Sequence, residues 1–545
     1  MTVRAVDLIE LYRRMEARRK EWDGLFQSLA DLFLPNQADF TRKPSRGKRR
    51  DTGNFENSHR VAARNFATTI DTFIGPQDKN QLTVVPDDPE LAERDDVREW
   101  SDVVRARMWR AMSRTSARLK QAKGETDRSL VVLGTGVLFI GENRQRNGLL
   151  FRSHHLRNVV IGVNAAGDVD RLGFARKLTA AQASEEYGEA NIGSRTREDL
   201  TKTGSDLEFE FYHLILPRDD RDARSILSKN MAYASAVVDV ESEHVVREFG
   251  FHEFPFAVPR WDTSPDEIYG RGPAMLAYAD ARTLQSIAKT LLLGGQRAVD
   301  PPSWVLNDAV LSVVRNYPGG VTVFDAQSFL AMGGRPPMGV LDMGKNIPLG
   351  REMQADYRGL VQSAFFRDLF ASAVDSPRQT ATEVLERKEE MVRILGPTFG
   401  RLEDDYIGRI NVRVFNIMER SGSFPERPEV LQGSEITFSY HSPFQLAKRS
   451  AEAVGISRSM EMLAPVAQFD PSVLDNYDFD EIARDTPGWF GFAQRYIRDK
   501  DEVAELRQQR AEAQAVQQAV EQAQTGGKAI RDLAAAEKDL EQAAQ

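Results

Sequence analysis

Cysteine is absent from the 545 residues of this chain, and histidine occurs only seven times. The lack of cysteine excludes disulfide bonds, cysteine-bound zinc and thiol nucleophiles. The histidines are scattered except for the pair His154-His155. Neighbouring residues in a strand point to opposite faces, so this pair is poorly placed to hold one metal ion. We therefore expect neither a metal site nor a cofactor.

Long hydrophobic runs are also missing. The longest, at 130–140, contains two glycines and is well short of the ~18 residues that a membrane span requires. Arg4, Asp7 and Glu10 interrupt the beginning of the chain, unlike a secretory leader. We therefore expect a chain without a membrane span that is cytosolic when it is synthesised.

Familiar catalytic motifs are absent as well: no G-x-x-x-x-G-K-[ST], H-E-x-x-H or G-x-S-x-G occurs. Gly134-Thr135-Gly136 resembles the start of a dinucleotide-binding loop, but Phe139 occupies the place of the third glycine. Residues 137–140 have the pattern of a strand rather than a helix, so these glycines indicate a turn or a bulge. We predict that the chain is not an enzyme.

One acidic cluster near the carboxyl end is a candidate cation site. A calcium loop that began at Asp475 would need glycine at its sixth position, where this chain has Asp480. Asp478 and Glu481 complete the cluster, which immediately precedes an apolar stretch. Acidic residues are favourable at the beginning of a helix, and we interpret the cluster as such a beginning.

The formal net charge is −9, from 72 basic and 81 acidic residues. A protein that grips DNA usually has a basic balance, so the acidic balance argues against a clamp on DNA, although it is also ordinary for a soluble protein. One basic segment stands out and predicts contact with nucleic acid or with an acidic partner. Because no aromatic residue is interleaved, a solvated loop is the favoured alternative. Its basic residues are Arg42, Lys43, Arg46, Lys48, Arg49 and Arg50.

Two long helices with a small module between them dominate the second half of the chain. The first helix opens with Gly270-Arg271-Gly272-Pro273 and stops at Asp300, and the second begins near Pro348. Each has the length of a rod of roughly 30–40 Å with one apolar stripe. Glycines and prolines punctuate the intervening module, in which we predict strands at 303–306 and 320–324.

The remaining pattern predicts an α+β multidomain protein. Helices are expected at 5–34, 58–74, 90–112 and 179–187, and a polar helical link at 113–128. A β-rich body is expected at 148–260, with strands at 149–151, 159–163, 209–216, 236–240 and 244–249. Beyond the rods we expect a helix at 380–417 broken near Gly396-Pro397, a strand at 435–440, and helices at 446–466 and 483–523 with a break at Pro487-Gly488. The Ala/Gln/Glu-rich end is either a helical crown in an oligomer or partly disordered.

The chain resembles the portal proteins of short-tailed phages, which are also called head-to-tail connectors. The resemblance covers about residues 5–490. It rests on SLVVLGTGVLFI at 129–140, IYGRGPAM at 268–275, KTLL at 289–292, AVDPP at 298–302, RQTATEV at 378–384 and YHSPF at 440–444.

This resemblance implies a portal fold and its division into parts. It implies an α/β wing body at 1–268, a first stem helix at 269–299, a small β clip at 300–348, and a second stem helix at 349–371. It further implies a channel-loop region at 372–379, a return to the wing at 380–445, and a helical crown or tail at 446–545.

The resemblance also implies a function. About a dozen copies, a dodecamer, would form a closed ring at one capsid vertex of the virion, after assembly in the host cytoplasm. Double-stranded DNA would pass through the ring, and the partners would be terminase, major capsid and scaffolding proteins, and tail adaptor proteins. The stretch around 371–378 would face the channel and supply Ser372, Asp375, Ser376 and Arg378, although it also fits a plain connection between helices.

Two other classes of function stay open on the residues alone. One is a nucleic-acid enzyme whose acidic residues bind magnesium. The other is a structural scaffold without a channel. Observation of a ring with an axial hole would favour the portal function over both of these classes.

Overall fold

The computed structural model describes most of the chain, with single positions in addition to the following ranges. These ranges are 4–42, 53–75, 82–86, 94–143, 148–202, 205–218, 227–301, 303–305, 325–331, 338–340, 346–371, 381–432, 436–440, 443–489 and 502–516. The chain divides into two compact units, Met1–Lys448 and Arg449–Gln545.

Four helices open the first unit. They are α1 (Ala5–Phe33), α2 (Ser58–Ile74), α3 (Asp95–Ser113) and α4 (Leu119–Leu133). The predicted helices at 5–34 and 58–74 are confirmed, because residues such as Phe26, Leu29 and Ile70 recur at helical spacing and are fully buried. Val6 is an exception among the apolar residues of α1, since it is exposed.

A five-stranded antiparallel sheet forms the centre of the β-rich body. Its strands, in their order across the sheet, are β4 (Val159–Val163), β5 (Val169–Thr179), β6 (Glu208–Pro217), β7 (Tyr233–Asp239) and β8 (His244–Phe251). Four of them correspond to predicted strands, whereas β5 was not predicted. Its polar residues Asp170, Arg171, Arg176 and Lys177 weaken the alternation that marks a strand.

The two faces of this sheet are covered differently. One face packs against the amino-terminal half of α1, where the rings of Tyr12 and Tyr212 stack 3.8 Å apart. The other face carries Phe209 and Phe211 under α5 (Ala180–Tyr187) and α6 (Ser194–Leu200). The predicted helix at 179–187 is confirmed, and Thr179 and Gln182 form a reciprocal cap at its beginning.

Three smaller sheets complete the described strands. A three-stranded sheet has the order β3 (Leu149–Ser153), β2 (Leu138–Glu142), β9 (Phe256–Ala257). The other sheets are pairs. They join β1 (Leu82–Pro86) to β12 (Ile436–Tyr440), and β10 (Ser303–Val305) to β11 (Met338–Val340). The predicted strand at 303–306 is confirmed over residues 303–305, and most of the predicted strand at 320–324 lies outside the described residues.

Two long helices pack against each other in the second half of this unit. They are α7 (Pro273–Val299) and α9 (Ile347–Ala364), and the short helix α8 (Ala326–Ala331) lies between them in sequence. Leu291, late in α7, contacts Gly350, early in α9, where a β-carbon would come within 2.6 Å of the leucine. The second helix therefore runs back along the first.

The second rod is shorter than predicted. It ends at Ala364, because Phe366 adopts a left-handed backbone with φ of 55°, and α10 (Arg367–Ala371) follows as a separate turn. Burial gives the reason: Phe365 is buried, and Phe366 and Phe370 pack around Phe66 of α2, which requires the chain to leave the helical path.

The segment after the second rod, predicted as a helix at 380–417, also differs from its prediction. The break expected near Gly396-Pro397 is wrong, because α11 (Ala381–Leu402) continues through Pro397. The irregularity lies further on, in a π-helix at Glu403–Gly408 that leads into α12 (Arg409–Arg420). Tyr406 and Ile407 of this π-helix are fully buried, so packing decides where the helix changes its winding.

The second unit, by itself, is helical in its described part. The helix α13 (Pro443–Phe469) crosses the division between the units and is followed by α14 (Phe479–Trp489), and residues 502–516 are also helical. The described part of α14 ends at Trp489, directly after the predicted break at Pro487-Gly488, and residues 490–497 lie outside the described residues. No hydrophobic side chain is buried among the described residues of this unit.

Glycines join α7 to the end of α4. Gly134 ends α4 with φ of 72°, and a β-carbon there would lie 2.1 Å from the carbonyl oxygen of Gly270. Thr135 Oγ1 accepts a hydrogen bond from Gly270 N (2.9 Å), and Gly134 O accepts one from Trp261 N (2.9 Å). Gly134-Thr135 thus forms a turn, as predicted, and it holds the segment that begins α7.

We expect Gly134→Ala to destabilise the first unit by more than the ~1–3 kcal/mol of left-handed strain, because the new methyl group also collides with the backbone of Gly270. The measurement is the midpoint of thermal or urea unfolding. Gly167→Ala is the matched control, since Gly167 has φ of 87° and open space around it. Equal losses in the two variants would contradict the close-contact argument.

Candidate functional site

The four residues predicted to face a channel lie outside the described part of the chain. Ser372, Asp375, Ser376 and Arg378 all belong to the range 372–380, which the structure does not describe. The described chain reaches this range through α10 and leaves it through α11. Their role therefore stays a prediction.

Of the six predicted basic-loop residues, only Arg42 is described. Its guanidinium is exposed and pairs with Asp31 of α1, with Nη2 3.1 Å from Oδ2. Lys43, Arg46, Lys48, Arg49 and Arg50 lie outside the described residues. An exposed pair of this kind contributes less than about 1 kcal/mol, so Arg42 remains accessible to a competing anion.

The chain just before the basic segment is fixed by Gln27 of α1. Gln27 Oε1 accepts hydrogen bonds from the backbone nitrogens of Phe40 and Thr41, each at 3.0 Å. Gln27 Nε2 donates to the carbonyl oxygen of Ala38 at 2.9 Å. Gln27 is buried, so these bonds satisfy polar groups that would otherwise lack water.

The chain just after the basic segment is fixed in the same manner by Gln285 of α7. Gln285 Oε1 accepts from the backbone nitrogens of Phe55 (2.7 Å) and Glu56 (3.1 Å), and its Nε2 donates to Glu56 O (2.6 Å). Arg358 of α9 lies 3.4 Å from the carboxylate of Glu56. The two long helices therefore hold one end of the basic segment, and α1 holds the other.

Sequence reasoning missed both glutamines. The available signal was a glutamine at a position on the apolar face of an amphipathic helix, where a polar side chain needs a specific partner. The partners themselves, the backbone at 38–41 and 55–56, are not adjacent to the glutamines in sequence. Only the packed structure shows them.

The two long helices also leave apolar side chains uncovered. The apolar stripe predicted for the first rod, which included Leu276, Leu284, Ala288 and Leu292, is only partly correct. Leu284 and Ala288 are buried, whereas Leu276 and Leu292 are exposed. Apolar residues of α7 occupy more than one face of the helix, so those outside the buried face are exposed to solvent. The exposed large apolar residues of α7 and α9 are Leu276, Leu292, Leu293, Val299, Leu349, Met353 and Leu360.

A buried charge cluster lies between α2, α4 and the π-helix. Lys123 Nζ lies 2.7 Å from Asp127 Oδ2 and 2.9 Å from Asp71 Oδ1, and 5.3 Å from the ring centre of Tyr406 in the π-helix. Burial opposes the charge of Lys123, but the two carboxylates outweigh it and raise the lysine pKa. This cluster ties α2, α4 and the π-helix together.

We expect Lys123→Met to lower the free energy of unfolding by about 3–5 kcal/mol, because Asp127 would remain buried without its cation. The double variant Lys123→Met/Asp127→Leu should recover part of this loss. Urea unfolding of both variants measures the difference. A single variant as stable as the parent would contradict the role of the pair.

The acidic cluster near the carboxyl end begins a helix, as predicted. Asp478 Oδ1 accepts hydrogen bonds from the backbone nitrogens of Asp480 and Glu481, each at 3.0 Å. Asp480 also pairs with Arg507, with oxygen–nitrogen distances of 2.5 and 2.6 Å. Across the described ranges, no three histidine, aspartate or glutamate side chains are grouped for a metal ion.

The described helices include none that is long and apolar enough to cross a bilayer.

The predicted histidine geometry is wrong in detail: His154 and His155 follow β3 rather than lying within it. His154 packs on Phe174 and Phe256, and His155 packs on Phe40. Burial first, and then nearby arginines, lower the pKa of each histidine to about 4.

Comparison with known proteins identifies the class to which this fold belongs. The family model described as bacteriophage head to tail connecting protein matches residues 5–497. This chain belongs to that family.

Individual relatives agree with the family match over most of their length. The chain is 26% identical over 532 residues to the portal protein of Salmonella phage epsilon15, covering 96% of this chain and 94% of that protein. It is 25% identical over 524 residues to the probable portal protein of Bordetella phage BPP-1, covering 94% and 92%. The portal protein of Pseudomonas phage phiKMV is 23% identical over 414 residues, covering 71% and 72%.

Proposed function

We propose that this protein is the portal of a short-tailed phage and that its copies close into a ring through which double-stranded DNA enters and leaves the capsid. The observation that carries this proposal is the family match over residues 5–497. Two of the relatives, which are named as a portal protein and a probable portal protein, align over more than nine-tenths of their length.

The exposed apolar faces of the long helices support the proposed ring. Leu292 of α7 is 53% exposed and Leu349 of α9 is 59% exposed, and five further large apolar residues on the two helices are also uncovered. Such residues gain free energy when a neighbouring surface removes them from water. A head-to-tail contact between copies closes into a ring when its rotation divides a full turn.

The second unit adds an independent argument for association. Met462, Phe469 and Phe479 are all exposed, and the described residues of this unit bury no hydrophobic side chain. A helical segment without a core of its own is marginal in water. Its packing against copies of itself, as a helical crown, would supply the missing core.

The mechanism we propose is geometric and electrostatic. Ser372, Asp375, Ser376 and Arg378 line the channel, where the two serine hydroxyls and the Arg378 guanidinium make weak contacts to DNA phosphates that do not depend on sequence. The net charge of −9 limits how tightly the ring as a whole holds DNA. Terminase, capsid and scaffolding proteins, and tail adaptor proteins are the partners of such a ring, and terminase supplies the ATP hydrolysis.

Electron microscopy of the purified full-length protein tests the proposal. The expected result is end-on views of a ring with an open axial hole, and light scattering that reports a mass of many copies. A monomer of 61.3 kDa, or an assembly with a closed centre, would contradict it. Magnesium-dependent cleavage of DNA by the purified chain would instead favour the nucleic-acid enzyme.

We expect the double variant Leu292→Lys/Leu349→Lys to shift the protein from rings toward smaller species, because each lysine places a charge on an apolar contact. Light scattering at a fixed protein concentration measures the shift. At least about a tenfold weaker association is expected for two charges in such a contact.

Leu207→Lys is the control for that variant, since Leu207 is 58% exposed but lies outside the long helices. The control should assemble like the parent protein. If both variants assemble normally, the long helices do not form the contact between copies.

We expect Arg378→Ala to leave ring assembly intact and to change the amount of DNA packaged or retained, because the substitution removes a cation from the proposed channel. Packaged genome per particle is the measurement. Arg351→Ala, at an exposed position of α9, is the matched loss of charge. A variant that packages and retains DNA like the parent would refute the channel role of Arg378.

A further inference from the structure

A group of cationic and aromatic side chains lies on one face of the five-stranded sheet. Phe174 of β5 is directly opposite His213 of β6, and the two ring centres are 4.5 Å apart. On the same face, Val237 of β7 lies opposite His213 on one side and opposite Arg247 of β8 on the other. Arg247 in turn lies over the ring of Phe249, with Cζ 4.9 Å from the ring centre.

This part of the sheet lies between two packed regions. Along β6, Phe211 belongs to the cluster under α5 and α6, and Ile215 belongs to the main core. His213 is the residue of the same face between them, and it is only partly covered. Phe174 and Phe249 are likewise half-buried, and Arg247 is exposed.

Three arginines bring positive charge to this place. Arg176 follows Phe174 by two residues on the same face of β5, and Arg152 of β3 comes two residues before His154, whose ring lies 5.3 Å from that of Phe174. Arg247 is the arginine already placed on β8. Burial first, and then these charges, lower the pKa of His154 to about 4 and that of His213 to about 3. We call Arg152, Arg176, Arg247 and the two histidines the arginine cluster.

Only one of the three arginines has an anionic partner within the described chain. Arg176 holds the carboxylate of Glu186 of α5 at two points, with Nη2 2.8 Å from Oε2 and Nη1 2.5 Å from Oε1. Among the described residues, neither Arg152 nor Arg247 forms an ion pair, and both are exposed. Glu186 thus shows the ligand chemistry that this surface accepts, namely a carboxylate in a two-point contact.

We propose that the arginine cluster is a docking site for an acidic segment of a partner protein. Carboxylates of the segment pair with Arg152 and Arg247 as Glu186 pairs with Arg176, and an apolar side chain packs on the half-buried ring of Phe249. The function of the surface is to attach a protein to the β-rich body, which goes beyond the passage of DNA proposed above.

Charge complementarity favours an acidic polypeptide over nucleic acid. Glu186 of α5 pairs with Arg176 of the arginine cluster, and Glu185 and Glu189 are exposed on and beside the same helix. A DNA strand carries a phosphate about every 3.4 Å, so its backbone would also meet these carboxylates. A short acidic segment can place its carboxylates on the arginines and neutral residues elsewhere.

The test uses the full-length protein and a short fluorescently labelled peptide of alternating glutamate and leucine. Fluorescence anisotropy measures binding at low and high salt, because contacts of this kind weaken as salt screens them. A matched peptide with glutamine in place of glutamate reports any binding that needs no charge. The expected result is salt-sensitive binding of the glutamate peptide alone.

The double variant Arg152→Gln/Arg247→Gln should bind the glutamate peptide at least about tenfold more weakly, since two charge-assisted contacts are lost. Lys177→Gln is the matched control, because Lys177 is exposed on the opposite face of β5 and should leave binding unchanged. If the double variant does not fold, as judged by circular dichroism, the exposed single change Arg152→Gln takes its place.

Glu186→Gln provides a change in the opposite direction. It removes the internal carboxylate from Arg176 and should tighten binding of the glutamate peptide. Unchanged or weaker binding in this variant would overturn the idea that Glu186 occupies one position of the site.

Three further results would overturn the proposal. They are no binding of the glutamate peptide by the parent protein, equal binding by the parent and the double variant, or tighter binding of a short DNA duplex that the double variant abolishes. The last of these would assign the arginine cluster to nucleic acid.

Discussion

The approach of two backbones at Gly134 and Gly270 is the contact on which the rest of the first unit depends. The end of α4 and the beginning of α7 come so close that no β-carbon fits at Gly134 or Gly272. Hydrogen bonds from Gly270 and Trp261 fix the two segments to each other. The position from which α7 starts follows from this contact, and so do the positions of α9 and of Gln285.

Polar side chains inside apolar surroundings specify how the helices meet. Gln27 binds the backbone just before the basic segment, and Gln285 binds the backbone just after it. Lys123 binds two carboxylates close to the π-helix. Each of these groups would cost free energy if it were buried without its partner, so each favours one arrangement of helices over others. Apolar packing alone would tolerate more than one arrangement.

The described residues leave several surfaces exposed, and these surfaces differ in chemistry. The long helices and the second unit expose apolar side chains, which suit contacts between copies. The arginine cluster exposes positive charge beside aromatic rings, which suits a carboxylate-bearing partner. The proposed assembly and the proposed attachment of a partner thus draw on separate parts of the chain.

Local pattern by itself determined the long helices, the cap at Thr179, the turn at Gly134 and the family, because these depend on neighbours in sequence or on short motifs. Tertiary structure decided the rest. The polar strand β5, the end of α9 before Phe366 and the π-helix around Tyr406 are set by burial against distant residues. The same holds for the partners of Gln27, Gln285 and Lys123, since a polar side chain on an apolar face shows that a partner is needed but not which residue supplies it.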